Sequence, residues 1–232
     1  ETAIIVFGIP NKKDETGEIS CSSSSIVPKA ISELKKVFED KLFVIADVCN
    51  CEYTTHGHCG TIIDNDVDND LTIKTLSSQS LVLAKSGADA LAPSDMMDGR
   101  VKAIRDILDN NKFEKIPIFP YSVKYNSAFY GPFREAAKSS PNFGDRKTYQ
   151  MNFKNSEEAI NEVKLDINEG ADVIIIKPAI SYLDIIYRIK QKFNVPIIAY
   201  NVSGEYTMVK SASEKNFING IETILEILHS IK

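Results

Sequence analysis

The chain has 232 residues, of which 43% are hydrophobic and 25% are charged, with a net charge of −5 at pH 7. This length fits one large α/β domain or two small ones. The acidic balance, together with the lack of a Lys/Arg-rich block, argues against a nucleic-acid-binding protein. No apolar run approaches the roughly 20 residues that a membrane-spanning helix needs, and no secretory signal is present.

The cysteine content indicates a reducing compartment. Three of the four cysteines lie between positions 49 and 59, which is not the spacing of a disulfide framework in a chain this long. We therefore expect free thiols and a cytoplasmic location. The chain begins at Glu1, directly in a strand-like run, which suggests a piece of a longer protein.

Short β-branched runs alternate with segments of helical periodicity along the whole chain. The predicted strands are 4–9, 43–48, 90–93, 116–123, 173–176 and 196–202. The apolar positions of the predicted helices fall within 31–38, 73–84, 97–108, 160–167, 183–193 and 217–228. Asn155 and Glu158 form a plausible capping box ahead of the fourth helix.

Six βα units with nearly continuous apolar strands predict an α/β fold with a parallel sheet and helices on its outside. A (β/α)₈ barrel has eight strands in about 250 residues. The alternatives are a TIM-type barrel with about six of its eight units in this chain, or an open doubly wound sheet. No GxGxxG motif follows the first strand, so the barrel is favoured. We expect residues 1–232 to form a single, incomplete TIM-barrel catalytic domain.

Two lysines end apolar strands, where a barrel places its chemistry. Lys124 closes the fourth strand and Lys177 the fifth. Either lysine alone would most simply extend into solvent. Two of them at one barrel mouth favour another interpretation, because burial and a second ammonium both lower a lysine pKa. A neutral amine can attack a ketone and form a Schiff base.

Three cysteines have the spacing of metal ligands. Cys49, Cys51 and Cys59 lie in one loop with His56 and His58. Three thiolates would leave a coordination position for water or substrate, whereas a fourth protein ligand would close the site. The alternative is a group of inert buried thiols, which fits poorly with a loop rich in Asp, Glu, His and Gly. Whether either histidine is a ligand stays open.

The predicted loop 125–154 is long enough to be a lid. Arg134 and Arg146 could bind a substrate carboxylate, and Tyr130 and Phe133 could exclude water. The alternative is a solvated loop whose arginines form weak surface ion pairs.

Five motifs in order resemble the 5-aminolevulinate dehydratase (porphobilinogen synthase) family. They are 47–60 (DVCNCEYTTHGHCG), 92–100 (APSDMMDGR), 129–151 (FYGPFREAAKSSPNFGDRKTYQM), 177–184 (KPAISYLD) and 200–208 (YNVSGEYTM). The resemblance covers essentially the whole chain. It implies a TIM barrel that condenses two 5-aminolevulinate molecules to porphobilinogen, with loss of two waters, in tetrapyrrole (haem) biosynthesis.

The resemblance also implies residue roles. Lys177 resembles the lysine that forms the Schiff base with the first substrate, and Lys124 resembles its partner at the second. The three cysteines resemble ligands of a zinc ion that helps to bind or polarise the second substrate. Residues similar to the second-substrate pocket are Arg134, Arg146 and Gln150. Residues similar to the first-substrate pocket are Tyr130, Phe133, Tyr200 and Ser203. Asp47 is similar to an acidic residue of the family close to the zinc loop, and Ser94 and Asp95 are similar to residues that line the same mouth.

Further implications concern activation and assembly. Some family members bind an activating magnesium ion, for which Glu162 is our candidate here. The family assembles as homo-octamers through an N-terminal arm. That arm, a first strand and a final strand are absent from this sequence, so the activity of the shortened chain is a separate question. Competing hypotheses are another lysine Schiff-base aldolase-type barrel and an inactive zinc-binding barrel fragment.

Overall fold

The strands of the protein are short and almost all run parallel. The computed structural model describes residues 2–232. The strands are β1 (Ala3–Val6), β2 (Phe43–Val48), β3 (Ile62–Ile63), β4 (Asp66–Val67), β5 (Ala90–Pro93), β6 (Val123–Lys124), β7 (Ile174–Lys177) and β8 (Ile197–Ala199). Only β3 and β4 pair antiparallel, in a small hairpin that follows the cysteine-rich loop.

Helices separate the parallel strands. They are α1 (Ile26–Phe38), α2 (Asn69–Lys85), α3 (Arg100–Asn110), α4 (Gly131–Ala136), α5 (Ser156–Glu169), α6 (Leu183–Lys192), α7 (Ser203–Glu214) and α8 (Gly220–Ile231). Among the described residues, no helix combines the length and apolar character that a membrane crossing requires.

The parallel strands form two ladders that one irregular segment joins. β1, β2 and β5 are neighbours in the first ladder, and β6, β7 and β8 in the second. Between them, Leu91 N–H donates to Pro117 O at 3.1 Å and Ile175 N–H donates to Pro120 O at 2.9 Å. The result is one parallel sheet that carries both lysines at the carboxyl ends of adjacent strands.

The two faces of the sheet bury different sets of side chains, because alternate residues of a strand point to opposite faces. Along β2, Val44, Ala46 and Val48 pack with residues of α1, α2 and α3. The other face forms a separate interior cluster. Its buried members are Ile45, Ala90, Ala92, Tyr121 and Ile175. The carboxyl end of this interior carries the polar residues of the site.

The predicted fourth strand, 116–123, was too long. Regular pairing is limited to Val123–Lys124, with one isolated bridge between Leu91 and Ile118. Pro117 and Pro120 explain the difference, because proline has no N–H to donate to a ladder.

The helix predictions need several corrections, one of which is α4, a short helix inside the predicted loop 125–154. The sequence pattern missed α7, whose segment SGEYTMVKSASE has too few apolar residues for a clear helical period. Phe217, predicted within the last helix, lies before α8.

The predicted capping box of α5 is present in part: the Asn155 side chain accepts the N–H groups of Glu157 and Glu158. The Asn155 N–H instead donates to Asn152 O at 2.9 Å, so the capping box is incomplete.

Candidate active site

Both lysines are buried at the barrel mouth. Lys124 is the last residue of β6 and 5% exposed, and Lys177 is the last residue of β7 and 6% exposed. They share a small cavity. Its lining residues are Phe7, Cys51, Glu52, Ser94, Lys124, Tyr130, Phe133, Arg134, Arg146 and Lys177. The cavity therefore combines two amines, two guanidinium groups, a thiol and a carboxyl group.

Aromatic rings surround the Lys177 amine. Its Nζ lies 4.4 Å from the ring centroid of Tyr200, 5.2 Å from Phe133, and 5.3 Å from both Tyr130 and Tyr121. Burial among these rings and the charge of the neighbouring Lys124 lower the Lys177 pKa to about 7, against the opposing effect of nearby acidic groups. A large neutral fraction of this amine therefore exists near neutral pH.

Lys124 has a more polar environment. Its ammonium group donates to the backbone carbonyl of Ser94. Burial acts to lower the Lys124 pKa, but the negative charge of the nearby Cys59 thiolate, whose own pKa is lowered, outweighs burial and raises it. The two lysines thus differ in protonation, which suits them to different roles.

Asp47 lies beside the cavity on the inward face of β2. Its Oδ2 accepts a hydrogen bond from Ser94 Oγ at 3.2 Å, whereas its Oδ1 is buried without a partner. Burial and the nearby Glu52 carboxyl group raise the Asp47 pKa well above its usual range. Asp47 can therefore hold a proton close to both amines.

The three cysteines converge as a cluster of ligand atoms. The sulfur atoms of Cys49, Cys51 and Cys59 all lie within 4.8 Å of one another, and all three residues are buried. Hydrogen bonds from the other two thiols lower the pKa of Cys59, whereas burial raises that of Cys49. Three convergent sulfur donors are a fitting set for a thiophilic divalent cation. The geometry of this loop could therefore hold a metal ion.

The two histidines of the loop hold neighbouring segments. His56 Nε2 contacts Glu15 O at 2.9 Å, and its Nδ1 accepts the His58 N–H at 3.1 Å. His58 contacts Phe143 O at 3.0 Å and Tyr149 Oη at 3.1 Å. Since both ring nitrogens of each histidine are engaged, neither is free to bind a metal ion. They connect the cysteine loop to segment 143–149.

The segment between β6 and α5 supplies the two arginines that line the cavity, Arg134 and Arg146, which together form the arginine wall. Arg134 stacks over the Tyr130 ring at 5.6 Å. Arg146 donates to Gly57 O at 2.8 Å and to Ser139 O at 2.5 Å. The Nε atoms of both arginines are buried without a partner, so each keeps a donor for an anionic ligand.

Ser203 contacts the same segment from α7. Its Oγ accepts the Phe133 N–H at 3.1 Å and lies 3.5 Å from Phe129 O. Ser203 therefore fixes the backbone of Phe133, whose ring lies over Lys177.

Two predicted residues lie away from the lysine cavity. Asp95 accepts the Met97 N–H at 2.8 Å, and its other oxygen lies 3.6 Å from Arg100 Nε. The Asp95 carboxylate thus contacts the start of α3, and its place at the mouth stays a prediction. Gln150 lines a neighbouring cavity next to Met96 and Glu162, and both of its amide atoms are buried without partners.

Glu162 lies in that neighbouring cavity, on α5. Burial and the nearby Asp166 raise its pKa to about 7, with Asp98 and Glu158 acting in the same direction. Within the described range 2–232, only the cysteine trio brings three ligand atoms within metal-binding distance of one another. Magnesium binding at Glu162 stays a prediction.

Sequence reasoning missed several residues of the cavity. Glu52 is 3% exposed beside Cys51, and burial raises its pKa. Phe7 packs edge-on against Phe133 with centroids 5.3 Å apart. Tyr121 lies under both lysine amines. Glu52 could have been found, since it belongs to the same motif as the cysteines, but Phe7 and Tyr121 carry no signal that distinguishes them from core residues.

The fold and the site define a class: an α/β barrel with a pair of buried lysines beside a three-thiol metal-ligand cluster. The family model described as delta-aminolevulinic acid dehydratase matches residues 2–232. The chain belongs to the delta-aminolevulinic acid dehydratase family.

Individual relatives agree with that assignment. The chain is 55% identical over 230 residues to the delta-aminolevulinic acid dehydratase of Methanothermus sociabilis and 51% identical over 230 residues to that of Bacillus subtilis (strain 168). Each alignment covers 99% of this chain and 71% of the relative.

A solved structure confirms the predicted TIM-type barrel with about six of its eight units. The dehydratase (porphobilinogen synthase) of Toxoplasma gondii ME49, in complex with the reaction product porphobilinogen, superposes with a TM-score of 0.97 at 43% identity. The match covers 99% of this chain and 66% of the Toxoplasma chain, so the present chain spans about two thirds of that protein.

Proposed function

We propose that this chain carries the active site that condenses two 5-aminolevulinate molecules to porphobilinogen with release of two waters. The observation that carries the proposal is Lys177, a buried amine with a pKa of about 7 inside an aromatic cage. Family membership and the product named in the Toxoplasma structure support the same reaction.

In this proposal Lys177 acts as the first nucleophile. Its neutral amine attacks the ketone of the first substrate, and loss of one water leaves an imine. Asp47, with its raised pKa and unpartnered oxygen, is suited to supply or accept the protons of that dehydration. The rings of Tyr200 and Phe133 exclude water from the imine.

Lys124 and the arginine wall would serve the second substrate. The Lys124 ammonium group lies in the same cavity as Lys177 and would engage the second substrate. The free Nε groups of Arg134 and Arg146 are available for the substrate carboxylate. Gln150 lines the adjoining cavity, and we assign it the same substrate through its free amide.

We propose Zn²⁺ as the metal of the cysteine cluster. Cys49, Cys51 and Cys59 would hold it, and three sulfur ligands leave a fourth position open. A zinc ion in this position supplies Lewis-acid polarisation of a substrate oxygen.

We also propose the wider properties that the family resemblance implies. Residues 1–232 would act as one catalytic domain, with magnesium activation at Glu162 and assembly into a homo-octamer in the full-length protein. The thiols of all four cysteines are free, which suits a cytoplasmic location.

Borohydride trapping tests the function. Reduction in the presence of 5-aminolevulinate, followed by peptide mass mapping, should give an adduct on Lys177 that Lys177→Ala abolishes without loss of bound zinc. Lys190→Ala, an exposed lysine on α6, is the matched control and should trap like the parent. Unchanged total trapping of 5-aminolevulinate in Lys177→Ala, with the adduct on another lysine, would contradict the assignment. Trapping of a different keto substrate in place of 5-aminolevulinate would favour another Schiff-base aldolase.

A further inference from the structure

Glu205, on α7, is a buried carboxylate that the proposed chemistry does not use. It is 0% exposed, and no Lys or Arg of the described residues forms an ion pair with it. Such a group is costly to bury unless hydrogen bonds satisfy it. Hydrogen bonds must therefore compensate the burial of the Glu205 carboxylate.

Three backbone N–H groups satisfy the carboxylate. Its Oε1 accepts from Ile180 at 2.7 Å, and its Oε2 accepts from Val202 at 2.8 Å and from Ala179 at 3.5 Å. Val202 is the N-cap of α7, and Glu205 is its third helical residue. Because valine has no side-chain acceptor, Glu205 provides the cap alone, and its charge also suits the helix N-terminus.

These bonds join the ends of two catalytic strands. Ala179 and Ile180 follow Lys177 by two and three residues, and Val202 follows Tyr200 by two. The β7–β8 ladder ends with the hydrogen bond from Tyr200 N–H to Ile176 O at 2.9 Å. Beyond that bond, the hydrogen bonds found between segments 177–182 and 200–205 all use the Glu205 carboxylate.

The same end of α7 also contacts the segment between β6 and α5, which supplies Phe133 to the aromatic rings around Lys177. Ser203 accepts the Phe133 N–H at 3.1 Å. At Gly204, an added Cβ would lie 2.5 Å from Phe129 O, so the two backbones are in close contact. A shift of α7 would therefore move the rings of Tyr200 and Phe133, which lie over the Lys177 amine.

We propose that Glu205 is a positioning residue for Schiff-base formation, which sets the Lys177 amine within its aromatic cage by tying the 178–180 turn to the start of α7. This inference rests on the proposed function, since it assigns Lys177 as the nucleophile. Glu205 touches neither the amine nor the cavity, and acts through the backbone of its three partners.

The test compares variants of Glu205 in the full-length protein. Glu205→Ala removes all three bonds and should lower the rate of imine formation at saturating 5-aminolevulinate about 100-fold, as a displacement of about 1 Å can. Glu205→Gln keeps one acceptor oxygen and should lose about tenfold, equivalent to about 1.4 kcal/mol. Glu214→Gln, an exposed residue at the other end of α7, is the matched control.

Rates per folded molecule separate positioning from stability. The folded fraction is measured by circular dichroism, and each trapping rate is divided by it. A purely structural role predicts parent rates after this correction, and that result would overturn the proposal. If Glu205→Ala does not fold, the nearly isosteric Glu205→Gln decides between the two outcomes.

A second measurement distinguishes failure of this inference from failure of the proposed function. Acetic anhydride acetylates a neutral lysine amine and releases acetate, so acetylation of Lys177 reports the amine without any substrate. Slower or faster acetylation in both Glu205 variants supports positioning even if the parent forms no imine with 5-aminolevulinate. Parent-like acetylation together with parent-like trapping rejects it.

Discussion

At the scale of the residue, burial determines the chemistry of the site. Lys177 meets four aromatic rings and a second lysine, so its ammonium form is disfavoured. Lys124 instead has a carbonyl acceptor and the thiols beside it. Two identical side chains on adjacent strands thereby acquire different protonation states.

The pH dependence of imine formation follows from this environment. In the proposed reaction only the neutral Lys177 amine attacks the ketone, so the trapping rate at subsaturating 5-aminolevulinate should rise with pH, with its midpoint near pH 7 and a plateau about one pH unit higher. Lys124→Met removes the neighbouring positive charge. The Lys177 pKa should then rise and the midpoint should move to higher pH, because Asp47, Cys51 and Glu52, which raise this pKa, remain.

The control for this pH profile is Lys154→Met, an exposed lysine outside the cavity, which should keep the parent midpoint. A midpoint in Lys124→Met that stays unchanged or moves to lower pH would show that Lys124 does not control the Lys177 amine.

Arg100 gives a second prediction at this scale. Its buried guanidinium donates to both oxygens of Asp166 at 3.2 Å and to Met97 O at 3.1 Å, and it faces Asp95. Arg100→Ala would leave two buried carboxyl groups without their counter-ion, so we expect a loss of about 3–5 kcal/mol in the free energy of unfolding by urea. Arg188→Ala breaks an exposed pair with Glu157 and should cost at most about 1 kcal/mol. Equal losses in both variants would refute this interpretation.

At the scale of the element, helix ends were partly readable from the sequence. The Asn155 side chain accepts two N–H groups of the first turn of α5. Asn155→Ala should therefore lower the free energy of unfolding by about 1 kcal/mol. Asn110→Ala, at an exposed position in the last turn of α3, removes an asparagine with no such bond and should change stability by a few tenths of a kcal/mol at most. A cap that contributes nothing would give the same denaturation curve for both.

The sequence was least informative where chain-distant segments meet. Periodicity located five of the six predicted strands within a few residues, because apolar β-branched runs are a local property. It failed at 116–123, where two prolines interrupt an otherwise apolar run, and at α7, whose apolar residues are few. The stability of α7 depends on Glu205 and its partners 25 residues away, which no local pattern reveals.

At the scale of the whole molecule, the loop of the cysteine cluster connects several segments. The loop carrying Cys49, Cys51 and Cys59 contacts segment 143–149 through His58. It also contacts the 14–15 segment through His56. A metal ion that binds only the folded loop should stabilise the whole fold by mass action, by about 2.7 kcal/mol at 100 times its dissociation constant.

Thermal unfolding with and without zinc checks this coupling. The parent should unfold at a higher temperature with zinc than after chelation, and Cys51→Ala should bind less zinc by elemental analysis and lose the shift. Cys21→Ala, whose thiol lies outside the cluster, should keep both the bound zinc and the shift in unfolding temperature.

In the same variant series, Cys51→Ala should weaken binding of the second substrate more than binding of the first. Equal zinc content in Cys51→Ala and the parent would exclude the three-thiol site.

The sequence by itself determined what is local: cysteines within eleven residues of one another, lysines at the ends of apolar strands, and motifs that identify the family. The tertiary structure decided which polar residues face the cavity. Asp47 lies within β2 and points inward, whereas Asp95 lies two residues beyond β5 and turns towards Arg100. The physical reason is that the direction of a side chain past a strand end depends on partners distant in the chain, and the sequence does not state those partners.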